Sequence, residues 1–177
     1  MIEASTRSQS YDSLRLFRCN VCGCLDNKFV EKQLSRESAP CTSCGLIVRE
    51  RALVYLIGRH LFGCPVPPLT EWPYHHDLRV LGISDGAGFA ARLGPKFNYE
   101  NTNYHIEPFF DVKAPPQRYL GAAMVICSEV LEHVAHPVEP AFSGLCSVLK
   151  PGGLLVFSVP WTTGEPPPSR GRRNPIP

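Results

Sequence analysis

Two short apolar runs in the second half of the chain predict the centre of its fold. The runs, 123–127 and 154–159, are uncharged and partly β-branched, which is typical of strands buried on both faces. Between them, apolar residues recur at helical spacing over 138–149, and Lys150 and a Pro-Gly-Gly turn follow. A strand, a helix and a second strand in this order predict a βαβ unit and therefore a parallel sheet.

Further elements are predicted upstream of this unit. Residues 77–83 and 97–100 are predicted to be strands, and a glycine-rich turn and a short helix over 89–93 separate them. With a fifth strand near 109, these elements predict an α/β fold with a parallel sheet and flanking helices. Ligands of such sheets bind beyond the carboxyl ends of the strands, so the residues after 77–83 and after 123–127 are the first candidates for a site.

An amphipathic helix is predicted over 49–62. Its apolar stripe consists of Ala52, Leu53, Leu56, Ile57 and Leu61. The basic residues of the same segment lie off that stripe; they are Arg49, Arg51, Arg59 and His60. They form either a solvated face or a patch for nucleic acid, and the pattern favours the solvated face.

Four cysteines predict a metal site ahead of that helix. They form two C-x-x-C pairs, Cys19 with Cys22 and Cys41 with Cys44, with eighteen residues between the pairs. Each pair is followed by a glycine, and this pattern matches the four-thiolate zinc sites of small ribbons. Because four thiolates complete a tetrahedron, the zinc would be structural. Disulfide or redox use, and a relic without metal, remain alternatives.

Composition and charge narrow the class of protein. The chain of 177 residues is 44% hydrophobic, which is enough for a core, and its formal net charge is +2. That charge predicts no strong attraction to nucleic acid or to an anionic membrane. There is no apolar run long enough to cross a membrane and no secretory leader, so we expect a cytoplasmic protein without membrane contact. Eight cysteines in such a compartment favour metal binding over disulfides.

These patterns divide the chain into five segments. We expect a disordered arm and a disordered tail at the two ends, a zinc ribbon with its helix, a proline-rich linker and a Rossmann-like domain. In chain order the arm is 1–15, the ribbon and helix 16–62, the linker 63–76, the domain 77–160 and the tail 161–177.

The stretch CSEVLEHV, followed by LKPGGLLVFSVP, resembles the late core motifs of class I S-adenosylmethionine-dependent methyltransferases. The resemblance covers about residues 78–160, and the cysteine pairs resemble those of a subgroup with an N-terminal zinc ribbon. It implies a Rossmann-like sheet, S-adenosylmethionine as cofactor and methyl transfer. The absence of an evident basic groove favours a small-molecule acceptor or a glycan precursor. Family sheets have seven strands and only five are predicted here, so we expect either a truncated product or an oligomer that covers the open edge.

The resemblance also implies cofactor-binding residues in the glycine-rich turn. The family loop has an acidic residue and three spaced glycines. Here Gly86 and Gly88 match the pattern, Gly82 replaces the acidic residue and Ser84 replaces the first glycine.

Three carboxylates complete the implied cofactor site. By resemblance, Glu100 at the end of the second strand would bind the ribose hydroxyls, and Asp111 would contact the adenine amino group. Their alternatives are a surface glutamate and a loop or cap carboxylate. Glu129 follows the strand at 123–127, and we expect it to meet the turn near Gly86 at one rim of the sheet, forming a nucleoside pocket.

Glu129, Glu132 and His133 form the group with acid, base or metal potential. A helical turn starting near Ser128 would place all three on one face. In some methyltransferases a similar cluster holds magnesium; the other interpretations are His133 as the catalytic general base and a purely structural set. The functional alternatives are a catalytically impaired zinc-binding remnant of the cofactor fold, and an RNA methyltransferase that uses the ribbon as its reader.

Overall fold

The computed structural model describes residues 15–29 and 40–160. The predicted tail, and the predicted arm except for Arg15, lie outside these residues. Within the described ranges, no helix combines the length and the apolar character that crossing a membrane requires.

The first part of the chain forms a small hairpin and a long helix. Strands β1 (Arg15–Arg18) and β2 (Leu25–Phe29) pair antiparallel, and the first cysteine pair begins directly after β1. The second pair leads into helix α1 (Val48–Phe62), which begins one residue before its predicted start.

The second part is an α/β unit with a four-stranded parallel sheet, which confirms the predicted fold class at this level. In chain order its elements are β3 (His75–Ile83), α2 (Ala87–Leu93), β4 (Phe97–Thr102), β5 (Ala122–Ser128), α3 (Glu139–Ser147) and β6 (Leu149–Ser158). The strands lie in the order β4-β3-β5-β6, and every neighbouring pair is parallel. The chain therefore moves outward from β3 to β4, and then crosses back to β5 and β6. The gap between β3 and β5 is a topological switch point, where ligands of open parallel sheets bind.

Helices cover both faces of this sheet. On one face, a buried cluster joins α1 and α2 to Val80, Met124 and Ile126. On the other, α3 packs on Leu81 and Val125. Successive strand residues alternate between the two clusters, as the two-residue period of a strand requires. Burial on both faces explains why β5 appears in the sequence as an unbroken apolar run.

The buried face of α1 differs from the predicted stripe. Ala52 is exposed and Leu56 is half exposed, whereas the core side consists of Arg51, Leu53, Val54, Ile57 and Gly58. Gly58 explains the difference, because a Cβ at that position would lie 2.4 Å from Val66 Cγ1 and 2.6 Å from Trp72 Cζ2. Relative to the predicted stripe, the helix is rotated about its axis so that Gly58, and not an apolar side chain, faces Trp72. Arg51 is buried with its guanidinium 4.6 Å from the Phe17 ring, so it does not belong to a solvated basic face.

The middle of the segment 63–76, which was predicted as a linker, packs into the core, and its last two residues belong to β3. Leu69 and Trp72 are only 2% exposed, and the Trp72 ring contacts the rings of Phe62 and Phe97 edge-on. Lys96 Nζ donates a hydrogen bond to the Trp72 carbonyl at 2.7 Å. The segment therefore joins the end of α1 to the sheet.

One predicted boundary and one predicted strand are wrong. Helix α3 ends at Ser147 and β6 already starts at Leu149, which pairs with Ala122, so the Pro-Gly-Gly turn lies inside β6 and does not precede it. The register shifts between Ala122 and Met124, and the glycines occupy this irregular stretch, with Gly152 at a φ of 75°. Likewise, the described residues near 109 form only an isolated bridge between Asn103 and Phe109 and not a fifth strand.

Candidate metal centre and ligand cleft

The four predicted cysteine ligands converge on one point. Cys19 Sγ lies 3.8 Å from Cys44 Sγ, and Cys22 Sγ lies 3.6 Å from Cys41 Sγ. All four sulfurs lie within 4.8 Å of one another. Thiolates about 2.3 Å from a tetrahedral zinc are separated by about 3.8 Å, so the cluster has the dimensions of a four-cysteine zinc site. Cys24 is not part of this cluster, and its thiol donates to Ser43 Oγ at 3.2 Å.

The two cysteine pairs form near-identical knuckles. In each, the glycine after the second cysteine donates its N–H to the carbonyl of the first: Gly23 to Cys19 at 2.9 Å and Gly45 to Cys41 at 2.8 Å. Both glycines have a positive φ, 77° and 76°, which explains why the sequence places glycine there.

The thiols of the cluster differ in their readiness to ionise. Burial raises the pKa of Cys44 to about 12, although a backbone hydrogen bond opposes that rise. Burial acts in the same direction on Cys22, but hydrogen bonds from the Cys24 backbone and from neighbouring thiols lower its pKa to about 6. Four thiolates at these separations repel one another, and a bound divalent cation compensates for this repulsion.

A second candidate site lies at the carboxyl ends of β3 and β5. The last strand pairings put Ile83 beside both Thr102 and Cys127, so these strands end at one rim. Ser84 and Glu129, the first residues after β3 and β5, both have a left-handed φ, 59° and 57°. Each donates one more N–H to a neighbouring strand: Ser84 to the Thr102 carbonyl at 2.8 Å and Glu129 to the Ser158 carbonyl at 3.0 Å. Non-glycine residues in this conformation are uncommon and cluster at functional sites.

A cleft of about 280 Å³ opens between these two turns. Three predicted residues, Ser84, Gly86 and Glu129, line it, so the structure brings the glycine-rich turn and the acidic residue to one place. The other lining residues are Arg49, Glu50, Leu53, Asp85, Phe89 and Ser128. The cleft therefore has two apolar side chains, three carboxylates and a guanidinium.

Asp85 is fixed over Gly82, which stands where the methyltransferases that the sequence resembles have an acidic residue. Tyr99 donates its hydroxyl proton to Asp85 Oδ2 at 2.7 Å, and Asn101 exchanges two hydrogen bonds with the Asp85 backbone. A Cβ on Gly82 would lie 2.1 Å from the Tyr99 hydroxyl and 2.4 Å from Asp85 Oδ2, so only glycine leaves room for this pair. Burial raises the pKa of Asp85 to about 7; Tyr99 and Arg49 oppose the rise, and Glu50 adds to it.

A directed chain of hydrogen bonds runs along the rim. Arg49 Nη1 donates to Ser128 Oγ at 2.6 Å, Ser128 and Ser158 share a bond of 2.8 Å, and Ser158 donates to Glu129 Oε1 at 3.0 Å. Each hydroxyl has a single proton, so Ser128 must donate to Ser158. The chain leads from a cation to a carboxylate and fixes the Glu129 side chain at the cleft.

The other predicted site residues lie away from the cleft lining. Gly88 is inside α2, facing Leu46. Glu100 is not the last residue of β4, which continues to Thr102, and its carboxylate faces Tyr119 and Arg79. Asp111 accepts the Lys113 N–H at 2.8 Å, which is the contact of a loop carboxylate.

The predicted arrangement of Glu129, Glu132 and His133 on one helical face is wrong. Strand β5 continues to Ser128, Glu129 is in the left-handed turn, and a short 3-10 helix begins only at Leu131. His133 is 80% exposed and is not a lining residue of the cleft; its Nε2 lies 3.9 Å from Glu132 Oε1. Among the described residues, only the cysteine cluster has the geometry of a metal site.

Sequence patterns did not predict four residues of the cleft region as site residues: Arg49, Glu50, Asp85 and Tyr99. The replacement of the acidic residue by Gly82, close ahead of Asp85, was the one available signal. The position of Arg49 and Glu50 depends on how α1 packs on the sheet, which no local pattern gives.

Comparison of the chain with family models, with curated proteins and with solved structures gave no match.

Proposed function

We propose that the cleft between the turns at Ser84 and Glu129, here called the rim cleft, binds S-adenosylmethionine. In this proposal the chain is a methyltransferase that acts on a small molecule or a glycan precursor. The observation that carries the proposal is the meeting of the turns after β3 and β5 in one cleft at the switch point of the sheet. Nucleoside ligands of doubly wound sheets bind at this place, beside the glycine-rich turn after the first strand.

The charges of the cleft suit such a ligand. S-adenosylmethionine has a positive sulfonium, an ammonium and a carboxylate. Three lining side chains, those of Glu50, Asp85 and Glu129, are carboxylates, and Arg49 supplies the opposite charge. The volume of about 280 Å³ is close to the lower end of the range of small-molecule pockets, about 300–1,000 Å³. The cleft is thus large enough for part of a nucleoside ligand.

The cofactor supplies an activated methyl group, so the protein mainly positions donor and acceptor. In this proposal, Ser84 and Gly86 present the backbone of the turn to the ligand, and Glu129 accepts hydrogen bonds from it. The Arg49–Ser128–Ser158 chain keeps Glu129 in place.

We propose a second ligand, one structural zinc ion held by Cys19, Cys22, Cys41 and Cys44. The sulfur separations support it, and with four protein ligands no coordination position is left open for catalysis.

Titration calorimetry with S-adenosylhomocysteine tests the cleft. We expect saturable binding that Glu129→Gln weakens about tenfold, since a hydrogen bond to a charged group contributes about 1.5–3 kcal/mol. Glu107→Gln is the matched control, because Glu107 is an exposed carboxylate that contacts Arg118 outside the cleft. The control should bind as the unaltered chain does. A lack of heat at millimolar ligand would refute the proposed function.

A second candidate function is nucleoside binding without methyl transfer. It is favoured by the position of His133, the predicted general base, outside the cleft lining. Incubation with methyl-labelled S-adenosylmethionine and a panel of small-molecule and glycan acceptors separates the two candidates. Binding with no labelled product would favour the second one.

A further inference from the structure

One wall of the cleft is built by the segment that directly follows the second cysteine knuckle. Arg49 and Glu50 line the cleft, and both belong to the first turn of α1. Only the four residues 45–48 separate Cys44 from Arg49. The candidate metal centre and the candidate ligand site are therefore neighbours along the chain as well as in space.

The knuckle is attached to the helix that begins at the glycine-rich turn. The Cys41 N–H donates to the Leu46 carbonyl at 3.0 Å, which closes the knuckle on the residue before the Ile47 cap. Arg92 of α2 donates to the Cys44 carbonyl at 3.1 Å. Leu46 is only 3% exposed, and its Cδ2 lies 3.9 Å from the place of a Cβ on Gly88.

From this anchor, the first turn of α1 reaches both turns of the cleft. Arg49 bonds to Ser128 at the end of β5, at 2.6 Å. Glu50 uses Oε2 to accept the Ile47 N–H at 3.0 Å, and its Oε1 lies 3.6 Å from the place of a Cβ on Gly86. A shift of the knuckle would therefore displace two charged side chains at the ligand.

We propose that metal binding at the four cysteines and ligand binding in the rim cleft are energetically coupled, with Arg49 and Glu50 as the positioning residues. This inference rests on the proposed function and names a regulation of the same site. Without a metal, the two knuckles lose the coordination bonds that would cross-link them and retain weaker contacts such as the Cys24–Ser43 hydrogen bond, so Leu46 and Ile47 lose part of the support that fixes the start of α1. Coupling of this kind is reciprocal, so the ligand must strengthen metal binding by the same factor.

The test compares the full chain with and without zinc. We expect S-adenosylhomocysteine to bind about five- to twentyfold more weakly after chelation, toward the lower part of the usual range for coupled sites. In the reverse experiment, saturating S-adenosylhomocysteine should raise the zinc affinity of the chain by the same factor, about five- to twentyfold, as measured by competition with a chelator. Equal ligand affinities for the two forms, both folded by circular dichroism, would overturn the proposal.

A variant that keeps the metal provides an independent test in case the zinc-free chain unfolds. Arg92→Met retains all four cysteines and removes only the hydrogen bond to the knuckle carbonyl. We expect it to bind S-adenosylhomocysteine about threefold more weakly, because only part of the stabilisation lost with this hydrogen bond is transmitted to the cleft. The matched control is Arg59→Met, since Arg59 is an exposed arginine of α1 that contacts Cys64. If the two variants have equal affinities, the proposal is wrong.

Amide hydrogen exchange separates failure of this inference from failure of the proposed function. On zinc removal, we expect faster exchange at 84–86 and 128–129, and unchanged exchange in the centre of β5. If the metal has a purely local role, amide exchange at 128–129 will not change on zinc removal. Unchanged exchange there would overturn the coupling even if the ligand binds. Faster exchange at the cleft together with no binding by either form would uphold the structural coupling and refute the proposed ligand.

Discussion

The cysteine cluster and the rim cleft are assembled in opposite ways. The cluster is made by two copies of one local knuckle, closed by glycines with φ values of 77° and 76°. The cleft is made by residues from α1, two strand ends and the start of α2, which meet only because of the order of the sheet. A site made by local repetition can be found from residue spacing, whereas a site made by topology needs the fold.

The two turns at the cleft are nevertheless as alike as the two knuckles. Ser84 and Glu129 have φ values of 59° and 57°, and each adds one hydrogen bond to the neighbouring strand before the chain turns away. No glycine marks either residue in the sequence. The likeness is therefore hidden in the sequence, because a serine and a glutamate occupy positions that glycine would fill at less conformational cost.

The largest expected effect tests the repeated knuckles. Cys41→Ser removes one of four ligands, and we expect zinc to fall below about half an ion per chain and stability to fall by several kcal/mol, because metal binding contributes directly to folding. Metal analysis and thermal unfolding measure both. Cys24→Ser is the control, since Cys24 is exposed and bonded to Ser43. If both variants retain zinc equally, the cluster is not the metal site.

The next effect tests how tightly the cleft is packed. Gly82→Ala places a methyl group against the Tyr99 hydroxyl and the Asp85 carboxylate, and we expect a loss of about 2–3 kcal/mol in the free energy of unfolding. Urea denaturation measures it. Gly86→Ala, in the turn that follows β3, should cost less than about 1 kcal/mol, because its Cβ would meet nothing closer than Glu50 Oε1 at 3.6 Å. Equal losses would show that the Asp85–Tyr99 pair does not require Gly82.

The smallest expected effect is a pH dependence of the free energy of unfolding that is caused by Asp85 in the cleft. The pKa of Asp85, about 7 in the folded chain, is above the ordinary 3.8, so folding favours the protonated form. Its contribution to stability is fully present below about pH 4 and is lost as the pH rises through 7. Asp85→Asn removes this loss, and we expect it to be about 2 kcal/mol more stable than the unaltered chain at pH 8, after allowance for partial exposure.

That advantage should disappear toward about pH 3, where Asp85 is protonated in the folded state and largely so in the unfolded state. Urea denaturation at several pH values measures the difference. Asp77→Asn, an exposed change on β3, is the control for the loss of one carboxylate and should be no more stable than the unaltered chain. A difference between Asp85→Asn and the unaltered chain that does not vary with pH would contradict the buried-carboxylate interpretation.

The sequence predicted the features that depend on local pattern. The strand at β5, the limits of α1 to within one residue and the convergence of the four cysteines follow from apolar runs, period and spacing. The meeting of Gly86 and Glu129 at one rim followed from a topological rule for parallel sheets.

The remainder depends on contacts that no short window of sequence contains. The rotation of α1 follows from Gly58 facing Trp72, and the extended start of β6 follows from pairing with Ala122. The place of Asp85 follows from a tyrosine fourteen residues away. Pairing across the sheet continues on both sides of Pro-Gly-Gly, so its turn is a bulge within β6 and does not separate the helix from the strand.

The apolar cluster that begins at Cys19 and Cys41 has a practical consequence. It continues without a break through Ile57 and Trp72 to Met124 and Ile126. Excising the segment up to the end of α1 would expose to water the part of the sheet face that α1 covers, and the excised piece would present a matching apolar surface of its own. We therefore expect neither half to be recovered in soluble form alone, so deletion analysis cannot assign separate tasks to them.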